Sequence, residues 1–140
     1  MNGATQVTRQ GGARLPLALA AGVFVALCAS GIAPYDRPTW IMEVAPVLLA
    51  APVLAATYRR FPLTRLLYVL IALHAVVLIG GGAYTYARVP LGAWVQDLFD
   101  LARNPYDKLG HFMQGLVPAL VARELALRLA LVSGRRMAAF

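Results

Sequence analysis

Three long apolar stretches, each about as long as a bilayer's hydrocarbon core is thick, constrain this chain more than any other feature. They cover residues 15–33, 40–58 and 66–84. Because a helix rises about 1.5 Å per residue, about 20 apolar residues carry it across the hydrocarbon core. The stretches therefore predict three transmembrane helices in an all-α integral membrane bundle.

A fourth long helix is expected over residues 106–132. Its apolar part ends at Ala122, before Arg123, Glu124 and Arg128, and about 14 uncharged residues are too few to cross a bilayer. We expect the two arginines to extend toward the lipid headgroups and so complete a fourth crossing. The alternative is an amphipathic helix that enters the membrane only halfway.

The composition of the chain agrees with a membrane location. Of its 140 residues, 60% are hydrophobic and 14% are charged, whereas a soluble domain is about half apolar and about a quarter charged. The net charge of +7 fits a membrane topology better than nucleic-acid binding, because the mean hydropathy is +0.66. The predicted partner is thus the lipid bilayer and no nucleic acid. Cys28 is the single cysteine, so no intramolecular disulfide can form, and no motif specifies a metal or a cofactor.

Basic residues are unevenly divided between the segments that join the apolar stretches. If the N-terminus is cytoplasmic, nine of them lie inside and four outside. Lysine and arginine accumulate in cytoplasmic segments, so we predict a multi-pass protein of the bacterial inner (plasma) membrane with both termini in the cytoplasm. The inside residues are Arg9, Arg14, Arg59, Arg60, Arg65, Arg123, Arg128, Arg135 and Arg136, and the outside residues are Arg37, Arg88, Arg103 and Lys108.

Small residues recur every four positions in the first predicted helix, at Ala18, Gly22, Ala26 and Ser30. Such a stripe lets the backbone of another helix approach closely. We expect it to form a helix contact, and it is compatible with a homo-oligomer or with another membrane protein as partner.

The segment predicted to lie outside the membrane begins with a short amphipathic helix over residues 91–102. Its polar residues fall between apolar ones that repeat every three or four positions, which is typical of a helix lying on the outer membrane surface. Asn104 and Pro105 then give the pattern of a helix start. The apolar residues are Leu91, Trp94, Val95, Leu98 and Leu101.

Asp107, His111 and Gln114 fall on one face of the helix that follows. Such a face suits a lipid headgroup, a metal ion or a polar partner, and Asp107 and His111 are the candidate catalytic residues. Lys108 and Arg103 are candidate contacts for an anion. The alternative is that Asp107 stabilises the helix start through the helix dipole and that the other residues form interhelical hydrogen bonds.

Two further polar residues lie within the apolar stretches. Glu43 is one turn inside the second helix, and we expect it to meet Tyr84 and His111 at the outer ends of the third and fourth helices. His74 lies midway along the third helix, where an unpaired polar group is costly. A hydrogen bond from His74 to a neighbouring helix is the favoured interpretation, and a proton relay or a metal ligand is the alternative.

Residues 40–68, 73–92 and 103–128 resemble the YjdF family of bacterial inner-membrane proteins in order and spacing. The resemblance implies a multi-helix inner-membrane protein whose biochemical function is uncharacterised. The stretch Asp107–Phe112 is also similar to a motif of VanZ-like membrane proteins, but it is too short to assign a function.

The chain departs from the family pattern in two places. Ala83 stands where the family typically has a histidine, which removes one potential ligand. Family members also continue into further helices that carry acidic segments, whereas this chain ends at Phe140. The resemblance therefore implies a short or C-terminally truncated form that lacks part of the family's polar site or completes it by oligomerising.

Three functions are compatible with these residues. A helical scaffold or partner-binding membrane protein is favoured over an enzyme, because catalysis needs a positioned second group and few such groups are present. The second is an enzyme or binder acting on a lipid headgroup or another envelope substrate. There His111 would act as base or ligand, Asp107 would orient it, and Lys108 and Arg103 would hold an anion. The third is a small transporter, and His74 is the one residue within the predicted membrane helices that favours this function.

Overall fold

The computed structural model describes residues 13–129, which form five helices and no strand. The prediction of an all-α membrane bundle is thereby confirmed. The predicted helix end at residue 132 lies outside the described residues, as do both chain termini and Arg9, Arg135 and Arg136. The helices are α1 (Arg14–Ile32), α2 (Arg37–Thr57), α3 (Arg65–Tyr84), α4 (Pro90–Leu98) and α5 (Tyr106–Arg128).

Side-chain caps determine where α2 and α3 begin. The Asp36 carboxylate accepts a hydrogen bond from the Thr39 N–H (2.8 Å), and Pro38 occupies the first turn of α2. At the start of α3, the Thr64 hydroxyl accepts from the Leu67 N–H (3.4 Å). Both residues satisfy backbone donors that a helix N-terminus otherwise leaves unpaired.

The short helix α4 ends earlier than the sequence pattern predicts. The apolar repeat extends to residue 102, but α4 ends at Leu98. Asp100 takes a left-handed conformation (φ 48°), and the Leu101 N–H bonds the Gln96 carbonyl (2.9 Å). This is the helix-ending arrangement in which a left-handed residue turns the chain back over the last turn.

Helix α3 is the centre of the bundle, because α1, α2 and α5 all pack against it. Val47 of α2 joins Ala75 and Leu78 of α3 in a buried cluster, and Val23 of α1 packs against that cluster. The outward faces are apolar as well. Phe24 of α1, for example, is 65% exposed, which is the pattern of a surface that contacts lipid.

Three of the described helices, α1, α2 and α3, are long and apolar enough to cross a membrane. Helix α5 has sufficient length, with 23 residues, but the polar residues near its two ends keep it out of that set. It nevertheless runs beside α3 from Val77 to the start of that helix. The Tyr106 hydroxyl bonds the Val77 carbonyl (3.2 Å), and Glu124 reaches Thr64 at the opposite end of α3.

The bundle thus has two ends that differ in composition. At the Tyr86 end, defined by Tyr86 and the last turn of α3, the Tyr35 N–H bonds the Ala83 carbonyl (2.9 Å) and the Arg88 guanidinium lies 4.0 Å from the Tyr35 ring centroid. The Glu124 end, defined by Glu124 and the start of α3, joins the α2–α3 loop to the end of α5.

Candidate functional site

Three consecutive glycines near the end of α3 let three different elements approach its backbone. A Cβ atom at Gly80 would lie 2.8 Å from the Tyr106 hydroxyl, and one at Gly81 would overlap the Tyr86 ring. At Gly82 it would lie 3.0 Å from Glu43 Cβ. The run therefore brings α2, α5 and the loop after α3 together at one point.

Tyr86 reaches this point through an unusual backbone conformation. Thr85 and Tyr86 both have φ 53°, in the left-handed region, and the Tyr86 N–H bonds the Gly81 carbonyl (2.9 Å). This conformation costs a residue other than glycine about 1–2 kcal/mol. The Tyr86 ring lies between Gly81 and Gly110 of α5, with its centroid 5.9 Å from that of Tyr106. Packing of the ring thus holds the strained turn in place.

The hydroxyl group of Tyr86 donates a hydrogen bond to Glu43 Oε2 across 2.8 Å. Burial raises the pKa of the Tyr86 phenol well above its ordinary value, and the hydrogen bond and the negative charge of Glu43 raise it further. Tyr86 therefore stays protonated at neutral pH and serves as a donor. It ties α2 to the contact between α3 and α5.

Next to Tyr86 lies a cavity of about 180 Å³ between α2 and α5, which we call the Tyr86 pocket. The lining residues that α5 contributes are three or four positions apart, so their side chains lie on one face of the helix. The space is several times what one water molecule needs. The residues that line it are Glu43, Tyr86, Asp107, Gly110, His111 and Gln114.

The carboxylates of the Tyr86 pocket have few partners. Asp107 Oδ1 is buried and has no hydrogen-bond donor. Between residues 13 and 129, the one ion pair joins Arg128 to Glu124 at the other end of the bundle, so neither Glu43 nor Asp107 is neutralised there by a basic side chain. No three histidine, cysteine, aspartate or glutamate side chains in the same range are grouped to hold a metal ion.

Asn104 positions the wall formed by α5. Its side-chain amide donates to the Val89 carbonyl (3.0 Å), and its Oδ1 accepts from the Tyr106 N–H (3.0 Å). The side chain packs on Gly92, where a Cβ atom would overlap it. Asn104 thus holds the chain just before α5, whose N-cap is Pro105 without a side-chain cap bond, so the N-cap lies one residue later than the sequence pattern indicates. Asp107 lies in the first turn of α5, where the helix dipole favours its charge, and its Oδ1 is unpaired.

The structure brings together four of the candidate site residues, Glu43, Asp107, His111 and Gln114, and leaves the other four elsewhere. Lys108 and Arg103 are exposed and do not line the pocket. Tyr84 lines a separate groove of about 540 Å³ between α1 and α3. His74 also lies away from the pocket, and its Nε2 is buried without a partner, so the favoured hydrogen bond to a neighbouring helix is not made through this atom.

Tyr86 is the site residue that the sequence reasoning missed, because Tyr84 was assigned its place beside Glu43. A signal for it does exist in the sequence. Gly81 and Gly110 provide two surfaces without side chains, and an aromatic ring in the loop between their helices can fill that space. Only the left-handed turn at Thr85 and Tyr86 determines which tyrosine does so.

A family model described as "Predicted membrane protein (DUF2238)" matches residues 15–140. The inner membrane protein YjdF of Escherichia coli (strain K12) is 60% identical over 111 residues, which cover 79% of this chain and 53% of that relative. The chain therefore spans about half the length of the curated relative it matches. No solved structure matches it.

Proposed function

Because the chain belongs to the DUF2238 family of membrane proteins, we propose that it binds a polar ligand of the cell envelope in the Tyr86 pocket. The family resemblance noted above is confirmed by the same matches, and the inner membrane is the location of its relative. The observation that carries the proposal is the convergence of Glu43 from α2 with Asp107, His111 and Gln114 from α5 around one cavity.

The proposal includes a topology of four crossings with the Tyr86 end outside. Helix α5 lies along α3 from Val77 to Thr64, so it has the reach to cross wherever α3 does. The α2–α3 loop at the Glu124 end carries Arg59 and Arg60, and basic residues favour the cytoplasmic side. The pocket then opens near the outer headgroups.

Binding is favoured over catalysis because the pocket has no activated nucleophile. General-base catalysis by His111 would need a second group that orients the ring, and Asp107 Oδ1, the expected partner, has no hydrogen bond. The exposed faces of Leu91, Trp94 and Leu98 on α4 support an interfacial position for that helix, and Asn104, just before α5, packs on its Gly92. Such a position places a lipid headgroup within reach.

A scaffold function is the second candidate, and one observation favours it. Helix α1 has no buried residue between Arg14 and Ile32, and Gly22 has open space beside it. A second copy or another membrane protein would cover the face of α1 that contains Gly22. Crosslinking in native membranes that yields only monomer would contradict this function, and it would leave the pocket proposal unaffected.

The pocket proposal is tested by the molecules that the purified protein retains. We expect gentle detergent extraction followed by native mass spectrometry to find an envelope molecule bound to the wild type. The double variant Glu43→Gln with Asp107→Asn should lose it, because both changes keep the side-chain shape and remove the charge. Asp97→Asn, an exposed acid on α4, is the matched control. Equal retention by the double variant would overturn the proposal.

A further inference from the structure

We propose that the ligand of the Tyr86 pocket presents a primary ammonium group that Glu43 and Asp107 hold between α2 and α5. This inference rests on the proposed function and names the ligand chemistry. The group belongs either to the headgroup of an aminophospholipid or to a free alkylamine, and the two sources share the same contacts.

The charge of the pocket is the first argument. Two carboxylates line it, and no basic side chain within residues 13–129 pairs with either of them. A partly buried carboxylate is costly unless a cation or several donors satisfy it. Lys108 is next to Asp107 in the chain, but its side chain is exposed and is not part of the lining. The missing positive charge is therefore expected from a ligand.

The hydrogen-bonding capacity of the pocket is the second argument. An ammonium group has three donors and no acceptor. The pocket offers free acceptors for these donors. Asp107 Oδ1 has no donor. A carboxylate such as Glu43 has about four lone-pair sites, and the Tyr86 hydroxyl uses one of them. Gln114 also lines the pocket, and its side-chain amide carries one acceptor oxygen beside its two N–H donors.

Two other cations fit the pocket less well. A metal ion would need three or more clustered ligands, and the described residues form no such group. A quaternary ammonium group cannot donate hydrogen bonds and is usually held by several aromatic rings, whereas Tyr86 is the single aromatic residue in this lining. A primary ammonium group matches both the charge and the donors.

The test compares lipids of one chain length in nanodiscs or detergent. We expect the full-length protein to retain phosphatidylethanolamine about tenfold over phosphatidylcholine and phosphatidylglycerol, since one charged hydrogen bond of about 1.4 kcal/mol corresponds to that ratio. Glu43→Gln with Asp107→Asn should abolish the preference, while Asp97→Asn should keep it. The wild-type preference needs no variant, so a folding defect of the double variant leaves the test intact.

A second arm titrates the detergent-purified protein with free ethanolamine and with ethylene glycol, which lacks the amine. Binding of ethanolamine alone, without a lipid preference, supports the ammonium inference with a free amine as source. Pocket-dependent retention of phosphatidylglycerol or phosphatidylcholine as strong as that of phosphatidylethanolamine overturns the inference and leaves the proposed function standing. Binding of neither lipid nor amine overturns the inference, and if no other envelope molecule is retained it overturns the proposed function as well.

Discussion

Glu124 and Asp107 are both carboxylates on α5, about 25 Å apart along the helix, and their surroundings are opposite. Glu124 accepts hydrogen bonds from the Thr64 N–H (3.0 Å) and hydroxyl (2.9 Å) and pairs with Arg128 at 2.7 Å. Asp107 Oδ1 is buried with no donor. One carboxylate has all its partners within the chain, and the other lacks them.

The two ends therefore differ in how their carboxylates are satisfied. The Glu124 side chain, from α5, lies beside the N-terminus of α3, where the helix dipole favours negative charge. Arg128 also donates to the Pro62 carbonyl. These bonds fasten the α2–α3 loop to the end of α5. At the Tyr86 end the Tyr86 ring packs against Gly81 and Gly110, yet Asp107 Oδ1 has no donor beside the pocket. On the proposed function, the carboxylate that the chain leaves unpaired is the one that contacts the ligand.

The largest effect is expected from Gly81→Ala. The added methyl group would overlap the Tyr86 ring, which is also confined by Gly110, so overpacking should lower the free energy of unfolding by about 2–3 kcal/mol. Gly115→Ala on α5 is the control, because a Cβ atom there meets nothing within 4 Å. Heat-induced unfolding in detergent measures both variants. Equal stability of the two would mean that the Tyr86 ring is not packed against α3.

Glu124→Ala tests the opposite end. It removes a charged acceptor from the Thr64 N–H and hydroxyl, and charged hydrogen bonds contribute about 2 kcal/mol. The matched control is Arg123→Ala, because Arg123 is the exposed neighbour on the same helix. Denaturant titration in mixed micelles should separate the two variants. If Arg123→Ala cost as much as Glu124→Ala, the fastening of α5 to α3 would not depend on this carboxylate.

Tyr86→Phe keeps the ring and removes the hydroxyl that bonds Glu43, so it should cost about 1 kcal/mol at neutral pH. It also changes the alkaline behaviour. The folded-state pKa of Tyr86 is raised, so its contribution to stability is fully present below about pH 10, the ordinary phenol value, and is lost as the pH rises above it.

Unfolding temperatures measured from pH 8 to 11 check this contribution. The wild type should lose stability more steeply above pH 10 than Tyr86→Phe does. Tyr84→Phe is the control, since Tyr84 is an exposed tyrosine that lines a separate groove and not the Tyr86 pocket. Parallel alkaline slopes for the wild type and Tyr86→Phe would contradict a buried Tyr86 phenol bonded to Glu43.

The smallest effect on stability is expected from Asp107→Asn, with a change below about 1 kcal/mol. Loss of the charge in the first turn of α5 removes a favourable dipole interaction of about 0.3–1 kcal/mol, but it also relieves a buried carboxylate oxygen that has no donor. The two terms nearly cancel. A loss as large as that of Glu124→Ala, measured in the same titration, would show that Asp107 is a structural residue after all.

The helices could be predicted from the sequence because membrane crossing depends on length and polarity, which are properties of a chain segment. The sequence predicts helices over 15–33 and 66–84, and the structure has Arg14–Ile32 and Arg65–Tyr84. The early end of α4 could not be predicted, because the apolar repeat continues through Leu101. It is the left-handed conformation of Asp100 that ends the helix.

The site could be predicted only in part, because its geometry depends on which helices are neighbours. Helical periodicity placed Asp107, His111 and Gln114 on one face, and the pocket lining contains all three. It could not place Tyr86, whose direction follows from two left-handed residues. Nor could it show that His74 lacks a partner for Nε2, since the sequence alone does not give the packing around the centre of α3.

The proposed topology, in which the Tyr86 pocket opens at the outer side of the membrane, is tested most directly by cysteine labelling in intact spheroplasts. In a Cys28→Ser background, Lys108→Cys and Arg59→Cys report on the two ends of the bundle, and a membrane-impermeant maleimide reads their accessibility. Four crossings with the Tyr86 end outside predict that Lys108→Cys labels at once and Arg59→Cys only after lysis. Labelling of both residues from the same side would contradict the account.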